Sequence, residues 1–118
     1  MAKFITLGVY TAKGLGGFVS NPSTDRKAAT SALAAAGGAK VTRYAGLRGK
    51  YDFMAEIEGT FEQAAAAAMV AVSSGAVSDF TILEDVDLNG IAETAKRMAT
   101  TYKAVSYTHL TLPTKRIV

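Results

Sequence analysis

Apolar and polar positions along the chain switch between a period of about two and a period near 3.6, and each switch marks an element. Residues 3–11, KFITLGVYT, form a β-rich run that reads as a first strand. AKGLGGF follows with three glycines in close succession, so a turn or a short irregular helix is expected there. Asn21-Pro22 reads as a helix start, with Asn21 as cap, Pro22 at the first helical position and Asp25 in the first turns. That helix carries Ala28, Ala32, Leu33 and Ala36 on one stripe, and Gly37-Gly38 stops it. Lys40 to Leu47 is the second strand, Arg48-Gly49-Lys50 the hairpin turn, and Tyr51 to Glu58 the third strand. Alternation places Tyr51, Phe53, Ala55 and Ile57 on one face of it. Thr60-Phe61-Glu62-Gln63 is a capping box that opens a second helix through about Ser73, closed by Gly75. Val77 to Leu83 is the fourth strand, and Asp87-Leu88 begins an amphipathic helix through Ile91, Ala95 and Met98.

The order β-α-β-β-α-β with a C-terminal helix predicts an α+β fold of the ferredoxin-like plan, one antiparallel sheet with both main helices on one side. One helical layer leaves the other sheet face bare. The residues expected there are Thr6, Gly8 and Tyr10, then Thr42 and Tyr44, then Asp52, Met54 and Glu56, and finally Phe80 and Ile82. A face this apolar and aromatic predicts a partner, here a homodimer packing sheet against sheet around a small cavity.

Composition narrows the chemistry. A chain of 118 residues, 49% hydrophobic and 19% charged, has the material for one core. It lacks cysteine, which removes disulfides, thiolate nucleophiles and zinc ribbons. No apolar run has the length of a bilayer span and no signal peptide opens the chain, so a soluble cytoplasmic protein with no membrane partner is expected.

The tail from Ala104 to Val118, AVSYTHLTLPTKRIV, has no sustained period and differs in composition from everything before it. Its segment VSYTHLTLPT is what results from translating a common transposase-based sequencing adapter. The expected organisation is a domain over 1–103 followed by a non-native, disordered tail over 104–118. Without Lys115 and Arg116 the formal charge falls from +3 to +1, and the lone histidine, His109, leaves with them. The body then has no basic stripe to suggest nucleic acid and no histidine for metal binding or proton transfer. No cofactor and no metal are expected.

The residues that remain for chemistry centre on Gly49-Lys50-Tyr51-Asp52. Gly49 permits the positive φ of a tight hairpin, and Tyr51 offers a ring for the interior and a phenol that needs a partner. Asp52 accepts a hydrogen bond from a ligand or acts as a base, with Tyr10 or Tyr44 as donors. Set against this, Asp52 pairs with Arg43, Arg48 or a backbone amide and fixes the hairpin, the weightier reading. Glu56 is a second polar group for the same cavity, and Met54 and Phe80 are further lining residues. Arg26 is placed to reach an anionic ligand, although such arginines more often make surface pairs. Glu84, Asp85 and Asp87 read as charges complementing a helix dipole.

With Gly49, Tyr51 and Asp52, the opening FITLGVYT, Gly14-Leu15, Arg26 and the Gly37-Gly38 stop, the chain resembles the GYD domain family of small bacterial and archaeal proteins. The likeness spans roughly Phe4 to Tyr102. It implies kinship with dimeric α/β-barrel proteins, among them small monooxygenases and isomerases. Two functions follow from different classes: a homodimeric domain that binds a small molecule, and a cofactor-independent oxygenase- or isomerase-like enzyme using Asp52 and a tyrosine.

Overall fold

The computed structural model of the chain describes residues 2–106, with side chains as far as Tyr102. His109, Lys115 and Arg116 lie outside the described residues. The chain forms two compact units, one ending at Asp85 and one beginning at Val86.

The first unit runs β1 (Ala2–Tyr10), α1 (Ala12–Ser20), α2 (Arg26–Ala36), β2 (Lys40–Gly46), β3 (Phe53–Gly59), α3 (Phe61–Ser73) and β4 (Val77–Asp85). The four strands form one sheet in the order β2-β3-β1-β4, with every neighbouring pair antiparallel. That is the ferredoxin-like α+β arrangement expected from the sequence. Among the described residues the second unit holds one helix, α4 (Leu88–Ser106), whose backbone extends past the Lys103 boundary expected from the change in composition.

Most element ends are set as their residues demand. Thr60 caps α3 by accepting from Gln63 N–H at 3.1 Å, and the Gln63 side chain returns to Thr60 N–H at 2.9 Å. Gly38 and Gly75 follow α2 and α3 at φ +88° and +85°, where a side chain would be strained.

Two expectations are corrected. The glycine-rich segment is a full helix, α1, because Thr11 caps it through Gly14 N–H and Gly14 lets it lie close to β4. A Cβ on Gly14 would stand 2.3 Å from the Ala76 carbonyl oxygen. The second helix begins at Arg26 rather than at Pro22. Its cap is Asp25, whose carboxylate accepts from Ala28 N–H at 2.9 Å. Asn21 instead ends α1, and its side chain accepts from Ser23 N–H in a local turn.

The core lies between the sheet and helices α2 and α3, built on Phe4, Val41, Ile57, Ala34, Ala39 and Ala64. Two of the inward helix positions, Ala64 and Ala68, bring α3 close to the strands. The facing stretches of α2 and α3 are mostly alanine, whose short side chains leave part of the layer unfilled. A gap is left, and it forms the site.

Candidate functional site

The strand register assigns every candidate residue to a face. Thr6 stands opposite Ala55 and Ile82, and Gly8 opposite Phe53 and Phe80. Tyr44 stands opposite Ala55. Directly opposed residues share a face, so these side chains all point toward the helices, together with Phe4 and Ile57. The other face carries Ile5, Leu7 and Val9 of β1 with Met54 and Glu56 of β3.

The bare face expected from the sequence is therefore two faces. Thr6, Gly8, Tyr10, Tyr44, Phe80 and Ile82 belong to the helix-covered side, while Thr42, Met54 and Glu56 belong to the opposite one. The reason lies in β1, where Thr6 and Gly8 are the less apolar alternating set and yet the buried one. The set with the bulkier aliphatics, Ile5-Leu7-Val9, is the one that faces away from the helices.

On the covered side, a cavity of about 170 Å³ opens between the sheet and helices α2 and α3. Tyr10, Tyr44, Phe53 and Phe80 supply aromatic walls, and Leu33 with Ala29, Ala67 and Ala71 supplies aliphatic ones. A wider groove of about 620 Å³ lies beside it and adds Phe18, Asp25, Lys27 and Asp52. Tyr10, Arg26, Tyr44 and Phe53 line both spaces, so they form the boundary between them.

That boundary is an ordered cluster. The phenols of Tyr10 and Tyr44 share a hydrogen bond. Phe53 stacks on both rings, with centroids 4.9 Å from Tyr10 and 5.7 Å from Tyr44. Phe18 of α1 meets Tyr10 edge-on at 5.4 Å. The Arg26 guanidinium lies 4.4 Å from the Phe18 ring centroid and 5.1 Å from that of Tyr10, a double cation–π contact. One of its nitrogens donates to the Gly14 carbonyl at 2.8 Å. Burial, reinforced by the hydrogen bond with Tyr10, holds the Tyr44 phenol well above the usual tyrosine range. Arg26 pulls it the other way without reversing the shift.

The hairpin motif is anchored by backbone. Gly49 takes φ +134° in the loop before β3. The Oδ2 atom of Asp52 accepts from Tyr10 N–H at 2.9 Å, while Asp52 N–H donates to Gly8 O at 2.8 Å and Asp52 O accepts from Leu47 N–H at 2.9 Å. The Asp52 carboxylate thus meets a backbone amide rather than Arg43 or Arg48. It borders the groove but not the inner cavity. Tyr51 precedes β3, so strand alternation does not govern it. Its phenol hydrogen-bonds Thr81 Oγ1 at 2.9 Å, on the Leu7 face, instead of entering the core with Phe53. Glu56 accepts from Thr42 Oγ1 at 2.6 Å on that same face, away from the cavity.

Of the candidate residues, then, Tyr10, Tyr44 and Phe80 line the cavity, Asp52 lies at the groove, and Tyr51, Met54 and Glu56 are elsewhere. Sequence reasoning undervalued Arg26 and left out Phe18. The signal available was their spacing: Arg26 opens α2 and Phe18 sits in the last turns of α1, so both end near the C-terminal end of β1. Among the described residues no group of three or more His, Cys, Asp or Glu side chains is gathered as a metal site, and no helix is long and apolar enough to cross a membrane.

Fold and site together define a small α+β domain with an aromatic, arginine-bordered cavity under its helices. Residues 4–95 match the GYD domain, and the chain belongs to that family. No curated protein and no solved structure matches it.

Proposed function

We propose that this GYD domain is a cytoplasmic homodimer that binds a small molecule in the cavity between its sheet and helices α2 and α3. The observation that carries the reading is the convergence of Tyr10, Tyr44, Phe53 and Arg26 on a space the alanine-rich helices leave open. Sites for small ligands are typically apolar hollows with a few polar groups placed to orient the guest, and this one has that make-up. The dimer rests on the opposite face, where Ile5, Leu7, Val9 and Met54 stand together.

The second reading, a cofactor-independent enzyme using Asp52 and a tyrosine, has both groups at one groove. One carboxylate oxygen is already committed to the Tyr10 amide, which favours a positioning role for Asp52. We take 1–103 as the domain and 104–118 as a non-native tail.

A thermal-shift screen of small aromatic compounds, with turnover followed in parallel, tests the reading. Saturable stabilisation without product supports a binding domain, and product formation supports the enzyme. No stabilisation by any compound sinks both.

A further inference from the structure

We infer that the cavity takes a monocyclic aromatic carboxylate, its ring held among Tyr10, Tyr44 and Phe53 and its carboxylate on Arg26 at the mouth. The inference rests on the binding reading above and names its ligand class.

Size sets the first limit. The cavity of about 170 Å³ is close to the roughly 150 Å³ of an engineered apolar cavity that admits benzene, so a single ring fits inside it. Lining sets the second. Four aromatic side chains, Tyr10, Tyr44, Phe53 and Phe80, surround the space, and a flat guest can meet their faces and edges in the offset geometries that aromatic pairs prefer. Charge sets the third. Arg26 is the cation that lines the inner cavity, and its guanidinium is half-buried against two rings rather than free in solvent. Among the described residues that five-donor group makes one hydrogen bond, from Nη2 to Gly14 O. The unused N–H groups suit the two oxygens of a carboxylate.

The neighbouring acids do not defeat this placement. Asp25 and Asp52 border the outer groove and not the cavity, and each has an oxygen engaged by a backbone amide, Ala28 N–H and Tyr10 N–H respectively. The hydroxyl of Tyr44, kept protonated by its burial, adds a neutral donor beside the guanidinium. An anion at the mouth would exchange the phenol–phenol hydrogen bond for one to its own oxygen.

The test is calorimetric titration of the full chain with benzoate and phenylacetate, beside the neutral analogues benzamide and toluene. Saturable binding of the acids is expected, with the neutral pair weaker by about tenfold or more, as the loss of a charge-assisted pair implies. Arg26→Gln should abolish the preference and Arg26→Lys should keep part of it. Ala67→Phe, which fills the cavity from α3, should abolish binding of all four compounds. Circular dichroism of each variant separates lost binding from lost fold, and Arg26→Lys carries the charge test if Arg26→Gln does not fold. Equal binding of acids and neutral analogues, unchanged in Arg26→Gln, overturns the ligand class while leaving a binding cavity. Absence of binding by all four overturns the ligand class, and the binding reading falls with it only if the thermal-shift screen also finds no stabilising compound.

Discussion

The Oδ2 atom of Asp52 accepts a hydrogen bond from the backbone N–H of Tyr10 at 2.9 Å, joining the loop before β3 to the last residue of β1. Tyr10 is where β1 slips register against β4, so its amide leaves the ladder and needs another acceptor. Removing that acceptor strands a part-buried donor. Asp52→Ala should cost about 1–3 kcal/mol in urea denaturation, and Asp52→Asn, which keeps a carbonyl oxygen, clearly less. If Asp52 were the base of an enzyme instead, Asn would be as damaging to turnover as Ala while leaving stability nearly intact.

Gly8 and Phe53 form a second dependence. A Cβ on Gly8 would come within 2.4 Å of Phe53 Cζ and 2.6 Å of Cε2, so the ring occupies the space a side chain would take. Gly8→Ala should push the ring off Tyr10 and Tyr44 and cost about 1–3 kcal/mol, the usual penalty for overpacking. Pairing it with Phe53→Leu should recover part of that loss. A double-variant cycle showing simple additivity would mean the two residues do not compete for the same space.

The order of elements was legible in the sequence because each carried its own local signal: the Thr60-Gln63 capping box, the glycines after α2 and α3, and the alternation of Phe53, Ala55 and Ile57. The covered face of β1 was not. Thr6 and Gly8 look like surface residues beside Ile5 and Leu7, yet Thr6 satisfies its hydroxyl on Ala55 O and Gly8 makes room for Phe53. Burial there is decided by contacts between strands far apart in sequence. The start of α2 was misplaced for a related reason, since both Asn21 and Asp25 are good caps and only the end of α1 decides between them. For Arg26 the sequence leaves a surface pair and an anionic ligand both open, because the partners that hold it, Phe18 and Tyr10, belong to other elements.

Tyr44 should mark the alkaline limb of stability. Its phenol is held above the ordinary value of 10.0 by burial first and by Tyr10 second. In the unfolded chain it ionises near that ordinary value. The folded state therefore keeps a proton that the unfolded state gives up. The contribution is full below about pH 10 and is lost as pH rises beyond it. Urea midpoints followed across that range should fall less steeply in Tyr44→Phe than in the parent. Parallel curves for the two proteins would show that Tyr44 titrates normally and is not buried in solution.

The sheet face opposite α2 and α3 supplies the sharpest test of assembly. Leu7 stands at its centre, opposite Met54 on one side and Thr81 on the other, with Ile5 and Val9 next along the strand. Burying one leucine there is worth about 1.5–3 kcal/mol, and replacing it with a carboxylate adds the cost of an unpaired charge in an interface. Leu7→Glu should therefore convert a dimer to a monomer in light scattering while circular dichroism stays unchanged, because the side chain points away from the core of its own chain. Val19→Glu is the matching control, since Val19 is 80% exposed on α1 and belongs to neither the cavity nor this face. If the parent chain is already monomeric at high concentration, the Leu7 face is not an interface. The cavity would then have to work within a single chain, which its position under α2 and α3 permits.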